Sequence, residues 1–434
     1  MSLRVKIASA AGEMASIASR SLKIGNGDAI GGRTALFIDG DILKVLGRNV
    51  KTVLVSGTNG KTTTNRIVYE VISKNLDSKC AYNSNGANME AGIAYSLINS
   101  KNATYGTFEV DELYFEKIGY ELNPTAVVLT NLSRDQLDRS NEVRRIAASW
   151  ERFFGRNSEL CVVANCQDPL IVYSLRKSKN VTWVNPGFSW YLDAKSCLIC
   201  NSQIIFSNDE WACSGCDFKM PNAQIKVANK VIEIDGIKQV EVDLQIPGRC
   251  NVGNFAFSLG LAVMLGIDIE KAKDAAEGVS DVAGRYEVFS MDEVEFKFRL
   301  LLAKNPAGWQ EALSMVEDSS MPVVVALNAQ VADGKDPSWI YDVLFEELKN
   351  RHVICCGQRA RDMGVRLYYA GLAHEVVHDF SLALKSKRLH EEVAKVAEKT
   401  GLKLSDVTVD IIANYTSFQA FRTLLGKSVS LNGK

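Results

Sequence analysis

Short unbroken apolar runs alternate along this chain with stretches in which apolar residues recur every three or four positions. The run Val53-Leu54-Val55 predicts a buried parallel strand, and Ile67, Val68, Val71 and Ile72 fall on one side of a helix opening at Lys61. Tyr105–Val110, Thr125–Leu132, Leu160–Asn165 and Val181–Asn185 read as further strands. Parallel strands separated by helical stretches predict a doubly wound α/β sheet, whose ligands sit at the carboxyl ends of its strands. Glu109, Asn131 and Asp135 fall at or just beyond such ends. Val231–Asp235 and Val240–Ile246 continue the sheet, and an apolar helix runs from about Asn251 through Leu265. Ala283–Glu287 reads as a linker.

From Phe296 the rhythm starts again. Strands are expected at Phe296–Ala303, Pro322–Asn328, His352–Cys356, Glu375–Asp379 and Val407–Ala413. Helices are expected at Gly308–Val316, Trp339–Asn350, Ala360–Ala370, Leu389–Thr400 and Thr416–Leu425. This predicts a second α/β domain with its own parallel sheet. The start of the chain differs: an Ala/Ser-rich helix over Val5–Ser21, then a Gly-rich stretch, Gly25–Leu43, that reads as a loop and a short strand.

The 434 residues are too many for one core and fit two or three domains. Hydrophobic residues make up 47% and charged residues 23%, as in soluble globular proteins. A net charge of −1 supplies no global field toward nucleic acid or anionic lipid. No apolar run is long enough for a transmembrane span, and the N-terminus lacks the continuous apolar centre of a signal peptide. Of the ten cysteines, four form a paired cluster. Cys80, Cys161, Cys166, Cys250, Cys355 and Cys356 lie mostly beside expected strands and read as buried thiols, so a reducing cytoplasm fits.

Two stretches carry chemistry. Strand, Gly-rich turn and helix N-terminus over Lys51–Arg66 (KTVLVSGTNGKTTTNR) form a phosphate site. Backbone N–H groups and the helix dipole attract the anion, Gly57 and Gly60 let the backbone approach, and Lys61 adds a point charge. The Thr62 hydroxyl is placed for Mg²⁺. The spacing is Gly-x-x-Gly-Lys-Thr, with Val55 where the general phosphate loop has its first Gly. The second stretch pairs Cys197-x2-Cys200 with Cys213-x2-Cys216 across twelve residues. Four thiolates in two such knuckles suit a tetrahedral Zn²⁺ in a closed, structural site, and a short hairpin can span the gap.

Together, Gly57–Thr63 (GTNGKTT), Glu109 after a strand, Thr130–Asp138 (TNLSRDQLD), Gly248–Asn254 (GRCNVGN) and Gly284–Glu287 (GRYE) resemble the Mur ligases and folylpolyglutamate synthases. These enzymes activate a carboxylate with ATP as an acyl phosphate and join it to an amine. The resemblance is expected not to extend to their uridine-nucleotide domain, and the four-Cys ribbon is an addition. Leu302–Gly308 (LAKNPAG), Ala332–Asp342 (ADGKDPSWIYD) and Arg359–Gly371 (RARDMGVRLYYAG) are similar to the synthetase subunits that amidate lipid II within that family.

The resemblance implies a central doubly wound P-loop Mur-ligase-like domain over 1–283 with the zinc ribbon at 195–221 inside it. A C-terminal Rossmann-like α/β domain follows over 284–434 and contacts a glutaminase partner. It implies ATP, Mg²⁺ and Zn²⁺ as cofactors. It also implies lipid II as substrate, ammonia from a separate GatD-like glutaminase, and action at the inner face of the membrane. The residues agree on one point: the chain has four His (His352, His374, His378, His390) and no recognisable nucleophile elbow setting a Cys beside one. Glutamine hydrolysis then falls to another chain.

For ATP the implied residues are Gly57, Thr58, Asn59, Gly60, Lys61, Thr62, Thr63, Asn251, Asn254 and Arg285. Thr62 and Glu109 would hold Mg²⁺, with Lys61 and Glu109 catalytic. Asp336, with Asp342 and Asp333 as alternatives, would orient the catalytic His of the partner. Each has a plainer reading: a solvated carboxylate for Glu109, helix-start residues for Asn251 and Asn254, a surface ion pair for Arg285, and a cap before Pro337 for Asp336. Asn83–Asn88 (NSNGAN) resembles a loop near the acceptor site, or is a turn. Gln136 stands where many Mur ligases have His, and no Lys follows closely, which leaves a second metal site without its usual ligands. Two other functions stay open. One is a stand-alone amino-acid ligase of the same family. The other is a zinc-ribbon ATPase binding nucleic acid, although the ribbon has few basic residues.

Overall fold

The computed structural model describes the chain except residues 1, 23–26, 77–78, 84–85, 135–139, 188–189, 208, 247, 280–285, 318 and 427–434. Arg285, Asp135, Gln136 and Asp138, and two residues of the Asn83–Asn88 loop, lie outside the described residues. The chain forms two compact units, residues 1–133 with 141–280, and residues 134–140 with 281–434.

The first unit is built on a nine-stranded sheet. Its spatial order is Lys238–Glu241, Val231–Ile234, Ile225–Ala228, Val181–Asn185, Cys161–Asn165, Ala126–Leu129, Lys51–Ser56, Tyr105–Val110 and Cys80–Tyr82. The seven strands from Ile225–Ala228 onward are parallel; the first two close the edge as an antiparallel meander. Residues 231–241 are therefore an antiparallel extension, because the chain there turns back through tight turns with left-handed residues at Asn229, Asp235 and Gly236. Lys51–Ser56 lies between two parallel neighbours, and all its residues but Lys51 are buried, as a near-continuous apolar run demands. Phe115, Trp150, Phe153 and Phe154 pack together on one side, with ring centroids 5.0–5.6 Å apart.

The second unit holds a six-stranded sheet in the order Tyr286–Ser290, Lys297–Leu302, Thr408–Ala413, Val323–Ala326, Val353–Cys356 and His374–Val376. All pairs are parallel except the first. The five strands expected after Phe296 are all present. Tyr286 and Glu287, the end of the expected linker, instead open an edge strand, Tyr286–Ser290, paired with Lys297–Leu302.

Two further expectations fail. Gly25–Leu43 is not a loop and strand: Asp28–Ile38 and Ile42–Gly47 are helices. Glycine is a poor helix former, but close helix crossings outweigh that. A Cβ on Gly12 would sit 2.8 Å from the Gly31 carbonyl oxygen, and one on Gly32 would sit 1.7 Å from that of Ala91. Trp339–Asn350 is not one helix but two short 3-10 turns, Ser338–Asp342 and Phe345–Leu348. The buried Arg366 guanidinium donates to the carbonyls of Ile340 and Val343, holding the chain open between the turns.

Candidate active site and metal ribbon

The strand Lys51–Ser56 runs into the turn 57–60, and the helix Lys61–Asn75 leaves it. Gly57 has φ +138° and Gly60 has φ +80°; a Cβ at Gly57 would lie 2.2 Å from Thr130 Oγ1. Only glycine fits such a pair of positions. The loop after Ala126–Leu129 braces the turn. The Thr58 N–H donates to the Asn131 carbonyl (2.8 Å), and the Asn59 N–H donates to Asn131 Oδ1 (2.9 Å). Thr130 Oγ1 donates to the Asn59 carbonyl (2.7 Å), and the Thr58 hydroxyl donates to the Ser133 carbonyl (3.0 Å). The amides of Thr58 and Asn59 are thus spent inside the protein, and these two residues shape the turn.

Lys61 is buried and arches back over the turn. Its Nζ donates to the carbonyls of Gly57 and Thr58 (3.0 Å for Thr58) and pairs with Glu112 Oε2 at 2.9 Å. Burial works against the ammonium, but the carboxylates of Glu112, Glu109 and Asp111 outweigh it and raise its pKa above the ordinary value. Thr62 is half-buried and Thr63 fully buried in the first turn of the same helix.

Glu109 ends the neighbouring strand and is buried. Asn83 clamps its backbone, accepting the Glu109 N–H and donating to its carbonyl, each at 2.8 Å. Asn88 Nδ2 donates to Oε1 at 3.3 Å, whereas Oε2 is buried with no hydrogen-bond partner among the described residues. A buried carboxylate oxygen left unpaired is costly, and a cation would relieve it. That fits the donor set a hard divalent ion prefers. Asn83 and Asn88 of the NSNGAN stretch therefore hold Glu109 in place.

Asn251 and Asn254 lie buried in the helix Arg249–Met264. Asn254 Nδ2 donates to Asn251 Oδ1 (3.0 Å), and Thr64 Oγ1 donates to Asn254 Oδ1 (3.2 Å). A Cβ on Gly60 would meet Asn254 Oδ1 at 2.6 Å. The pair thus abuts the phosphate turn. Sequence reading missed two residues here. Glu112 pairs with Lys61, a contact that spacing along a strand does not disclose. Asp168 accepts the N–H of Leu132 (2.6 Å) and Leu170 (2.8 Å), tying the bracing loop to the next strand; its Asp-Pro pair was a legible helix-start signal.

In the second unit Asp336 is exposed. It accepts the Ser338 N–H at 2.9 Å, which holds its carboxyl below the ordinary pKa. Pro337 precedes the 3-10 turn rather than opening an α-helix. Asp342 is paired with Arg134, which groups with this unit. Asp333 is buried and committed to the N–H groups of Thr416 (2.9 Å) and Gln330 (3.2 Å).

Cys197, Cys200, Cys213 and Cys216 gather so that their sulfurs lie within 4.8 Å of one another. Ile204–Ser207 and Glu210–Cys213 form the connecting antiparallel hairpin. The Ile199 N–H donates to Cys197 Sγ (3.4 Å) and the Gly215 N–H to Cys213 Sγ (3.3 Å), as knuckles holding thiolates do. Trp211 and Ile204 form a small core beneath, and Trp211 Nε1 donates to the Cys166 carbonyl at 3.0 Å. All ten cysteines are free. Burial pushes the thiols of Cys80, Cys166 and Cys355 up to about 12, and Cys356 well above its ordinary value, the opposite of a nucleophilic thiol. Among the described residues, no helix is long and apolar enough to cross a membrane.

Comparison with known proteins matches residues 55–262 to the Mur ligase middle domain and residues 302–418 to the MurT ligase C-terminal domain. The chain is 28% identical over 435 residues to the MurT subunit of lipid II isoglutaminyl synthase (glutamine-hydrolyzing) from Streptococcus pneumoniae. It is 27% identical over 427 residues to that of Staphylococcus aureus, covering 93% of both chains in each case. A UDP-N-acetylmuramoyl-tripeptide–D-alanyl-D-alanine ligase of Borreliella burgdorferi is 25% identical, over 55% of this chain and 47% of that one. Among solved structures, a pseudomurein peptide ligase type C from Methanothermus fervidus superposes with a TM-score of 0.64 at 19% identity (87% of this chain, 79% of that one). MurF from Acinetobacter baumannii does so with a TM-score of 0.64 at 14% identity (91% and 80%), so the fold is that of the Mur ligases. With a Gly57–Thr63 phosphate turn in a Mur ligase middle domain and a C-terminal region of the MurT type, this chain belongs to the Mur ligase family.

Proposed function

We propose that this chain is the ATP-dependent synthetase subunit of a lipid II isoglutaminyl synthase. It amidates the D-glutamate α-carboxylate of the lipid II stem peptide to D-isoglutamine, with ammonia supplied by a GatD-like glutaminase in a heterodimer. The observation that carries this reading is the match to two MurT subunits over 93% of each chain, through both the middle and the C-terminal regions. The MurT matches are at higher identity and wider coverage than those to the D-alanyl-D-alanine ligase from Borreliella (25% over 47% of its length) and to a 2,6-diaminopimelate ligase (22% over 78% of its length).

On this reading a carboxylate oxygen attacks the γ-phosphorus of ATP, ADP leaves and an acyl phosphate forms. Ammonia then attacks the acyl carbon, a proton is lost and phosphate leaves. Attack by an anion on a polyanion needs charge neutralised and groups aligned. Lys61 supplies a cation at the turn, and the N-terminus of its helix supplies the dipole for the β- and γ-phosphates. Thr62 and Glu109 would hold Mg²⁺, whose charge stabilises the transferring phosphoryl group. Asn251 and Asn254 serve the nucleotide beside Gly60, and Arg285 its phosphates. The four cysteines would hold Zn²⁺ in a closed site that folds the ribbon. ATP consumption and reduced thiols fit the cytoplasm, with the reaction at the inner membrane face.

Asp336 is the better candidate to orient the partner's His, since it is exposed and charged whereas Asp342 already has Arg134. The test mixes the purified chain with its glutaminase, lipid II, ATP and glutamine, and reads amidated lipid II. Ammonium should replace both glutamine and glutaminase. Asp336→Asn should lower glutamine hydrolysis while sparing the ammonium-dependent reaction. No amidated product with an active glutaminase sinks the proposal, and product with amino acids but not ammonium favours the stand-alone ligase.

A further inference from the structure

The helix Leu3–Ser21 is inside out for a surface helix. Val5, Ala8, Gly12, Ser16 and Ser19 face the protein, while the larger apolar side chains face water. Leu3 is 74% exposed, Ile7 53%, Met14 65% and Ile17 62%. With Ala10 they recur every three or four residues, so they form one continuous stripe. The small inner residues explain the packing, because Gly12 lets the helix cross Asp28–Ile38 at close range. They do not explain the outer face, where a soluble helix carries polar residues.

The second helix carries a further exposed apolar residue near its contact with the first. Arg4 Nε donates to the Ile38 carbonyl at 2.9 Å, bringing Leu3 to the end of that helix, where Phe37 is 91% exposed. Exposed cations flank the apolar residues: Arg4 and Lys6 on the first helix and Arg33 on the second. The two acidic residues of these helices are already in ion pairs, Glu13 with Lys101 and Asp28 with Arg20. An apolar stripe bordered by basic residues on a helix lying along the surface is the pattern of an interfacial helix, which sinks about 5–10 Å into the headgroup region of an anionic bilayer.

We infer that the outer face of Leu3–Ser21, with Phe37, is a docking surface for an anionic phospholipid bilayer. The inference rests on the reading above only for its purpose: a lipid-linked substrate lies in that surface. A second copy of this chain is the poorer occupant, because pairing two such stripes would gather the cations of both copies at one seam.

The test is flotation of the full chain, alone and with its glutaminase, with vesicles of phosphatidylglycerol and phosphatidylcholine and with vesicles of phosphatidylcholine alone, none containing lipid II. The chain should bind the anionic vesicles, and added salt should weaken binding. Ile7→Glu with Met14→Glu should weaken it about tenfold or more, since each puts a carboxylate where an apolar side chain would leave water. The melting temperature and ATP turnover should hold, because both residues are exposed. Lys6→Glu with Arg33→Glu should remove the preference for anionic vesicles. Equal, weak binding of the wild-type chain to both vesicle types overturns the inference. So does a self-associated wild type that the Ile7/Met14 variant renders monomeric without a change in flotation. Because the vesicles lack lipid II, failure to amidate would overturn the proposed function and leave this surface standing.

Discussion

Lys61 is held by three oxygens before any phosphate reaches it: the carbonyls of Gly57 and Thr58 and the carboxylate of Glu112. Lys61→Ala should lower ATP turnover by about 10²–10³-fold, the scale of losing one charged contact to a transition state. It also leaves the half-buried Glu112 carboxylate without its cation, so the melting temperature should fall. The double variant with Glu112→Gln should recover the melting temperature but not turnover, which separates the two effects. Recovery of turnover would refute the role of Lys61. The pair's stabilisation is complete at neutral pH, since the raised pKa of Lys61 keeps it charged; it fades as pH climbs past 10.5 toward the folded value. Asp168 runs the other way. Burial pushes its carboxyl from 3.8 up to about 7, despite the N–H groups of Leu132 and Leu170. Between those values the unfolded chain is ionised there and the folded chain is not, so the native state loses stability as pH rises. Thermal melts from pH 4 to 7 should decline less for Asp168→Asn than for wild type, and parallel curves would contradict this account.

The ribbon shows how an element can depend on a few ligands. Its core is little more than Val172, Ile204, Trp211 and Cys197, too small to order two short strands by burial alone. Zinc bound by four thiolates can supply on the order of 10 kcal/mol of folding energy. Metal analysis should find one zinc per chain. Its removal by chelator should melt the hairpin locally, read as a shift in Trp211 emission, with Cys200→Ser giving the same result. A metal-free chain with unaltered emission would sink the zinc assignment. Elements also mark where the reading of the chain failed. The Gly-rich stretch around Gly31 and Gly32 lost its helices to a propensity argument, because the helix–helix contacts that require glycine lie outside any local window. The single helix expected after Trp339 failed because Arg366, far along the chain, takes the carbonyls of Ile340 and Val343.

At the scale of the whole chain there are two parallel-sheet units, each with apolar runs that spell out its central strands. Edge strands were harder to read. Tyr286–Ser290 and Lys238–Glu241 are short and partly exposed, so neither a buried run nor a clean alternation marks them. The nitrogen-source experiment belongs to this scale, since the buried thiols of this chain are unsuited to hydrolysing glutamine and the proposed activity needs a second protein. By itself the sequence determined the chemistry that is local: the Gly57–Thr63 turn, its Lys and Thr, and four cysteines in two knuckles. In each, the acting groups sit within a few residues of one another, so spacing alone states the geometry. Tertiary structure decided what distant residues do together. It set Glu112 on Lys61, Asn83 and Asn88 on Glu109, and Asp168 beneath the bracing loop. It also left Glu109 Oε2 without a partner among the described residues and turned the large side chains of Leu3–Ser21 outward. Periodicity says which residues share a face; it cannot say what that face meets, because the neighbour is supplied by chain folded in from elsewhere.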